Sequence, residues 1–355
     1  MRLMIMAGGT GGHVYPALAV AQQLRAEGHE VVWMGTPASF EARVVPAQGI
    51  AIEYVQVSGL RGKGSLALLQ APLRLVRAVL QALAVLRRVR PDVVLGMGGF
   101  AAGPGGLAAW LSRRPLVIHE QNAAAGLTNR LLARLARSVL QAFPDTFAGG
   151  RTVGNPVRQG FAELPTPAQR LAHAAPARVL VIGGSQGARA LNERVPQALA
   201  QLAPAERPQV RHQAGRTLEI AQQSYAVAQV EAEVTAFIDD MPAALAWADL
   251  VICRAGASTV AELSAAGSAS VLVPFPHAVD DHQTRNAEYL ARAGAAVLLP
   301  EHELDPVRLS GLLRELLADR ARLQGMADAA RSRAWTDAIP QIAGECLRLA
   351  ASGGR

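Results

Sequence analysis

The amino-acid sequence predicts an α/β fold of two domains, each a parallel sheet covered by helices on both faces. Three observations predict it. Short apolar runs alternate with helical periodicities along most of the chain. The pattern restarts near the middle. A length of 355 residues is too long for one ordinary domain and about right for two. Half of the residues are hydrophobic and 18% are charged, which is not the composition of a disordered chain.

In the first half, Met1–Ala7 reads as a strand. Pro16 suits the first turn of the following helix, in which Ala17, Val20, Ala21 and Leu24 share one face and Gly28 marks the stop. Glu30–Met34, Ile50–Val57, Asp92–Gly96, Leu116–His119 and Ser138–Gln141 are further strand candidates. Short apolar runs separated by helices imply a parallel sheet buried on both faces. Val153–Arg158 and the proline- and alanine-rich stretch up to Pro176 read as a domain connection. Arg178–Ile182 opens the second set, followed by Val210–Gln213, Glu233–Ile238, Leu250–Cys253, Ser270–Val273 and Ala295–Leu299. The halves share architecture more than sequence, which makes them two similar folds and not a repeat array.

The net charge is +7, carried almost wholly by arginine, with Lys63 the sole lysine. That skew, with abundant alanine, is read as base composition and not as a nucleic-acid footprint; no nucleic-acid partner is expected. Phosphates or an anionic membrane surface fit the charge. Cys253 and Cys346 lie far apart, with neither metal-type spacing nor a disulfide framework. The first apolar run meets a glycine turn before it reaches signal-peptide length. No uninterrupted apolar run approaches the ~18 residues of a spanning helix. The chain reads as soluble and cytoplasmic, with membrane association open.

Three glycine turns stand out: Gly8–Gly9–Thr10–Gly11–Gly12–His13, Gly98–Gly99–Phe100–Ala101–Ala102–Gly103 and Gly183–Gly184–Ser185–Gln186–Gly187. Each follows a strand and precedes a helix. Glycine lets a ligand approach the backbone, and free N–H groups at a helix start favour phosphate. One such turn is equally a tight connection with no ligand. Three at strand ends line the crevice where open parallel sheets bind ligands. The first turn does not match the dinucleotide fingerprint: Val14 stands where a third glycine belongs, and no acidic residue ends the strand at Trp33–Gly35. A Gly-Lys-Ser/Thr phosphate loop is absent from the sequence.

More specific are His119–Glu120–Gln121–Asn122, Gly154–Asn155–Pro156–Val157–Arg158, Gly183–Ala188, Phe237–Met241, Arg254–Glu262 and Pro274–Asn286. With Gly8–His13, in this order over almost the whole chain, they resemble the MurG family of bacterial N-acetylglucosaminyltransferases in peptidoglycan synthesis. The resemblance departs by one apparent extra residue around Ala278–Asp281. It implies a GT-B fold, two Rossmann-like domains with parallel sheets facing across a cleft. The domains would be 1–157 and 158–335, with a C-terminal helix at about 336–355 packing back on the first. It also implies inverting transfer of N-acetylglucosamine from UDP-N-acetylglucosamine to lipid I, an undecaprenyl-diphosphate-linked muramoyl pentapeptide. The β-1,4-linked product would be lipid II. No cofactor or metal is expected, and other cell-wall synthesis enzymes are conceivable partners. The implied location is the cytoplasmic face of the cell membrane, as a peripheral protein.

Residue by residue, the resemblance places the nucleotide in the second half. Ser185 would meet the UDP diphosphate, or simply cap a helix. Ala257, Ser258 and Thr259 would open a second phosphate-facing helix, and Glu262 inside it would accept from ribose, or be an ordinary acid near a helix start. Ile238 would touch uracil through its backbone, or sit in the core. Arg158 at the junction would bridge phosphate oxygens, or be solvated. Asn122 and Gln283 would hold the sugar. His13 is the favoured general base, with Glu120 its rival; His13 alternatively orients its loop. His119 reads as structural. Thr10, Gly11, Gly12, Gly99 and Gly103 would face the acceptor diphosphate.

Residues 58–90 would meet an anionic membrane. A basic loop carries Arg61 and Lys63, and a helix pattern runs from Leu66 to Val89. Leu69, Leu73, Val76, Leu80 and Leu83 form one apolar stripe; Leu68, Leu75, Val79 and Leu86 form another. Together they are wider than the ~100° a core-facing helix needs. Either one stripe packs inward and one rests on lipid, or the helix is deeply buried. The alternatives for function are another GT-B transferase or a UDP-sugar epimerase, then a nicotinamide oxidoreductase or a non-catalytic nucleotide binder.

Overall fold

The computed structural model describes residues 1–57, 71–161, 163–174 and 176–352. It divides into two compact units, Met1–Arg158 together with the segment from Asp337, and Gln159–Thr336.

The first unit is built on a seven-stranded parallel sheet in the order β3-β2-β1-β4-β5-β6-β7. Its strands are β1 (Arg2–Met6), β2 (Glu30–Gly35), β3 (Ala51–Tyr54), β4 (Val93–Gly96), β5 (Leu116–Glu120), β6 (Ser138–Gln141) and β7 (Arg151–Thr152). The two-residue β7 has no apolar run to betray it. Helices α1 (Gly11–Ala26), α2 (Phe40–Ala47), α3 (Ala71–Val89), α4 (Ala102–Leu111) and α5 (Leu127–Leu132) connect them. Helix α1 starts earlier than Pro16 predicts. The glycines at Gly11 and Gly12 are its first turn, so Pro16 lies inside it and leaves one interior carbonyl without a donor. Gly28, at φ +84°, ends it as expected: Gly28 N–H bonds the Arg25 carbonyl and His29 N–H the Leu24 carbonyl.

The second unit has a six-stranded parallel sheet in the order β10-β9-β8-β11-β12-β13. Its strands are β8 (Arg178–Ile182), β9 (Gln209–Gln213), β10 (Glu233–Thr235), β11 (Leu250–Cys253), β12 (Ser270–Leu272) and β13 (Ala296–Leu298). The strand expected over Glu233–Ile238 stops at Thr235, because as the edge strand it pairs only with Arg211–Gln213 of β9, which ends there. Helices α6 (Pro167–Arg170), α7 (Arg189–Ala200), α8 (Leu218–Ala228), α9 (Met241–Trp247), α10 (Ala257–Ala266), α11 (His282–Ala291), α12 (Pro306–Ala318) and α13 (Arg320–Arg331) surround the sheet. The chain then returns to the first unit as α14 (Ala338–Ser352), whose Ile342, Ala343, Cys346, Leu349 and Ala350 join the core beside Leu3, Ile5 and Val20. Glu345 pairs with Arg348 of the same helix at 2.7 Å and with Arg151 of β7 at 3.8 Å.

Helix α3 is two-faced. Ala78, Val79, Ala82, Val85, Leu86 and Val89 are buried against the sheet, whereas Leu73, Leu75, Val76 and Leu80 are between 51% and 74% exposed. The deeply buried alternative is thereby excluded for this segment. Arg61, Lys63, Leu66, Leu68 and Leu69 lie outside the described residues. Among the described residues, no helix is long and apolar enough to cross a membrane.

Each unit buries a neutral histidine. His119 Nε2 lies 2.9 Å from the Gly154 carbonyl, and His212 bridges Asn192 Oδ1 at 2.9 Å and Tyr225 OH at 3.0 Å. Burial lowers the His119 pKa to about 4, against the opposing pull of the Gly154 carbonyl and Glu120, and lowers that of His212 to about 3. In both cases the folded value is depressed below the ordinary 6.5, so the unfolded chain binds the proton first. Stability is therefore full above pH 6.5 and is lost as pH falls toward 4. Unfolding free energies from urea titrations between pH 7.5 and 4.5 should fall steadily, by a few kcal/mol at most per histidine, roughly 1.4 kcal/mol for each pKa unit. The decline should flatten in a His212→Gln variant.

Candidate functional site

Both sheets change direction at their first strand. In the first unit β1 lies between β2 and β4; in the second β8 lies between β9 and β11. The crevice beyond the carboxyl ends of strands at such a switch point is where parallel sheets bind ligands.

In the first unit the turns after β1 and β4 touch. Gly99 has φ +87°, and a Cβ there would fall 2.4 Å from the Gly8 carbonyl oxygen, so backbone lies directly on backbone. Gly103, one residue inside α4, has ordinary room for a side chain, its nearest neighbour being Thr128 at 3.6 Å. Thr10 is the extended N-cap of α1 and makes no side-chain cap bond. The helix opens on Gly11 and Gly12, whose N–H groups precede the regular ladder. Beneath the turn lies Glu41, 1% exposed. Its carboxylate accepts from Gly9 N–H at 3.0 Å, Thr36 N–H at 3.0 Å and Thr36 Oγ1 at 2.8 Å. Burial raises its pKa, but the bonds from Gly9, Thr36 and its neighbours outweigh this and hold it below the ordinary value. Cβ atoms on Gly8 or Gly35 would strike this side chain, at 2.5 and 2.8 Å. Sequence reasoning missed Glu41. Its only signal is an acid on the second helix, beyond the strand end where a ribose acid was sought.

His13 is half-buried, in the first turn of α1, with its Nδ1 2.8 Å from Gln121 Oε1. Glu120, 2% exposed, is committed to its own loop: its oxygens accept from Asn122 N–H at 3.0 Å, Asn122 Nδ2 at 3.3 Å, Gly126 N–H at 3.2 Å and Asn129 Nδ2 at 2.9 Å. Asn122 is therefore tied to Glu120 through both backbone and side chain.

The second unit repeats the plan with different chemistry. Gln213, 3% exposed, pins the turn: its Oε1 accepts from Gly184 N–H at 2.9 Å, and its Nε2 donates to the Gly184 and Ala236 carbonyls. Gly215 backs it so closely that a Cβ would lie 2.3 Å from the Gly184 carbonyl oxygen. Ser185 is exposed on the turn, but it is not a helix cap, because α7 begins at Arg189 after Ala188. Across the switch point, Ala257, Ser258 and Thr259 form the first turn of α10, with Gly256 as N-cap. The Ser258 hydroxyl is buried without a hydrogen-bond partner. Glu262 follows four residues later on the same helix face.

Supporting contacts fix this loop. Asn286, fully buried, donates to the Ala255 carbonyl at 3.1 Å. Arg254 donates to the Val273 and Pro274 carbonyls at 3.2 Å and pairs with Glu301. Gln283 accepts from Phe275 N–H at 2.9 Å. Near Ala278–Asp281 the backbone passes through two successive left-handed residues, Asp280 (φ +53°) and Asp281 (φ +50°). Ile238 is half-buried in the loop beyond β10, neither at a strand end nor in the core. Arg158 is exposed at the last position of the first unit's opening segment. Among the described residues, no group of three or more His, Cys, Asp or Glu is gathered as metal ligands would be.

Known proteins agree with this architecture. The glycosyltransferase family 28 N-terminal domain matches residues 3–141, and the family 28 C-terminal domain matches residues 178–342. A UDP-N-acetylglucosamine–N-acetylmuramyl-(pentapeptide) pyrophosphoryl-undecaprenol N-acetylglucosamine transferase of Alkalilimnicola ehrlichii is 58% identical over 99% of this chain and 99% of its own. The protein of the same name in Marinobacter nauticus is 55% identical over 98% of both chains. The crystal structure of Acinetobacter baumannii MurG superposes with a TM-score of 0.86 at 42% identity, covering 98% of this chain and 99% of that one. With two switch-point sites on two parallel-sheet units of GT-B type, this chain belongs to the MurG family of glycosyltransferases.

Proposed function

We propose that this enzyme transfers N-acetylglucosamine from UDP-N-acetylglucosamine to lipid I, with inversion, to give β-1,4-linked lipid II. One observation carries the proposal: each sheet ends its first strand in a glycine turn pinned from below and opens a helix there, in a chain 58% identical to a relative bearing that activity in its name. Two anion sites suit a reaction in which donor and acceptor each carry a diphosphate.

The second unit takes the nucleotide. The amides of Ala257, Ser258 and Thr259, the Ser258 hydroxyl and Ser185 meet the diphosphate; Glu262 accepts from ribose; Ile238 lies against uracil; Gln283 and Asn122 hold the sugar; Arg158 completes the charge. The first unit takes the acceptor diphosphate on the turns of Thr10–Gly12 and Gly99–Gly103. His13 is the general base, removing the proton of the acceptor hydroxyl as that oxygen attacks the sugar C1 and the bond to UDP breaks. Glu120 is the weaker candidate because four donors occupy its carboxylate. The exposed stripe of α3 rests on an anionic membrane at the cytoplasmic face, supported by Leu73, Val76 and Leu80 on one side and Arg74 and Arg77 beside them.

Purified protein supplied with lipid I and radiolabelled UDP-N-acetylglucosamine should form lipid II, and UDP-glucose should not replace the donor; absence of transfer overturns the proposal. His13→Ala should lower kcat by about 10²–10⁴-fold with little change in donor KM. Glu262→Ala should raise donor KM by about 10–100-fold, the scale of hydrogen bonds to a charged group. Co-sedimentation with anionic vesicles should weaken in a Leu73→Asp/Leu80→Asp variant, while turnover of a water-soluble acceptor analogue stays unchanged.

A further inference from the structure

His13, Gln121 and His119 form a continuous chain within the first unit that ends on a backbone carbonyl. His13 Nδ1 lies 2.8 Å from Gln121 Oε1; Gln121 Nε2 lies 3.1 Å from His119 Nδ1 and 3.2 Å from the His119 carbonyl; His119 Nε2 lies 2.9 Å from the Gly154 carbonyl. His119 is fully buried and Gln121 is 1% exposed, so water does not interrupt the chain.

Only one set of donors satisfies these contacts. The Gly154 carbonyl can only accept, so His119 Nε2 carries a proton. His119 is neutral near pH 7, since burial takes its pKa down to about 4, so its Nδ1 is a bare acceptor. Gln121 Nε2 faces two acceptors, that nitrogen and the His119 carbonyl, which fixes the amide with nitrogen inward. Gln121 Oε1 then faces His13, and the ring nitrogen opposite must be N–H. The other tautomer would set two lone pairs against each other at 2.8 Å. The site also has room for the ring in this pose only because Gly98 lacks a side chain: a Cβ there would lie 2.8 Å from His13 Nδ1.

We infer that Gln121, oriented by buried His119, is a positioning residue that locks His13 as the Nδ1–H tautomer and leaves Nε2 as the proton acceptor. A histidine side chain free in water prefers the opposite tautomer, in which Nε2 is protonated and cannot act as base. The lock matters because a base in the wrong tautomer is idle; in hydrolase triads that error alone lowers turnover by about 10⁴-fold. The inference rests on the reading of His13 as general base. The step balances: the acceptor O–H proton passes to Nε2, the acceptor oxygen bonds to C1, and the C1–oxygen pair leaves on UDP. The imidazolium that forms keeps its Nδ1–H bond to Gln121 Oε1, so no group in the chain has to turn. Glu120, the one carboxylate beside His119 in sequence, is turned into the loop of Asn122–Gly126 and takes no part.

The test is a long-range ¹H–¹⁵N correlation on full-length protein labelled with ¹⁵N-histidine, His13 being assigned by its loss in His13→Gln. In alkaline buffer, its Nδ1 should resonate as a pyrrole-type nitrogen and its Nε2 as a pyridine-type nitrogen. In the near-isosteric Gln121→Met the two resonances should move toward an averaged or reversed pattern. In the same variant kcat should fall at least about tenfold with donor KM unchanged. Gln121→Glu keeps an acceptor for Nδ1–H, so it should retain the wild-type His13 pattern, and it serves if the Met variant does not fold. A wild-type His13 protonated on Nε2, or a pattern unmoved in Gln121→Met, overturns the inference. If His13→Ala retains full turnover while the spectra are as expected, the general-base reading falls and the tautomer lock stands. If His13→Ala is inactive but the spectra show Nε2–H, the reverse holds.

Discussion

Two buried acceptors hold the molecule's glycine turns in a shape that the turns would not keep alone. Glu41 in the first unit and Gln213 in the second each take one turn N–H from below. Glycine-rich backbone has the highest conformational entropy of any sequence, so an unpinned turn would spend most of its time away from this geometry. The pins are chemically unlike. A carboxylate beside the proposed anion site is tolerable only because three donors already satisfy it and hold its pKa down; an amide needs no such compensation. The unit proposed to bind the nucleotide uses the neutral pin.

The glycines divide by cause. Gly99 and Gly215 are glycine because another stretch of backbone lies where a Cβ would be, and Gly8 and Gly35 because Glu41 does. Gly103 has room to spare. Sequence alone treats these positions alike, since a glycine's letter carries no record of what approaches it. What separates them is the strand order, which brings the turns after β1 and β4 together although more than eighty residues of chain lie between them.

Most strands were legible because parallel strands covered on both faces are unbroken apolar runs; Arg178–Ile182, Leu250–Cys253 and Ser138–Gln141 appear as read. The failures have specific causes. Pro16 signals a helix start in general, but here the glycines before it were already helical. β10 is shorter than its apolar pattern because its partner ends first. In the site, the glycine turns and the start of α10 at Ala257 were readable from punctuation. Glu41, Gln121 and Gln213 were not, because a buried polar side chain is defined by partners distant in sequence. Helix α3 shows the intermediate case: the wheel revealed two apolar stripes, but only the packed structure shows that Val79 and Leu86 face the sheet while Leu73 and Leu80 do not.

The return of α14 to the first unit makes the second unit an insertion in the first. Leu3 and Ile5 belong to a core that also needs Ile342 and Cys346, separated from them by nearly the whole chain. During synthesis the second unit can complete its sheet as soon as its own residues have left the ribosome. The first must wait, with one face of its sheet covered only in part by α1 and α2, until residues 338–352 emerge. The half that begins first is thus finished last, with part of one apolar face bare on the side of the sheet opposite α3. Chaperone demand during translation should therefore concentrate on the amino-terminal half.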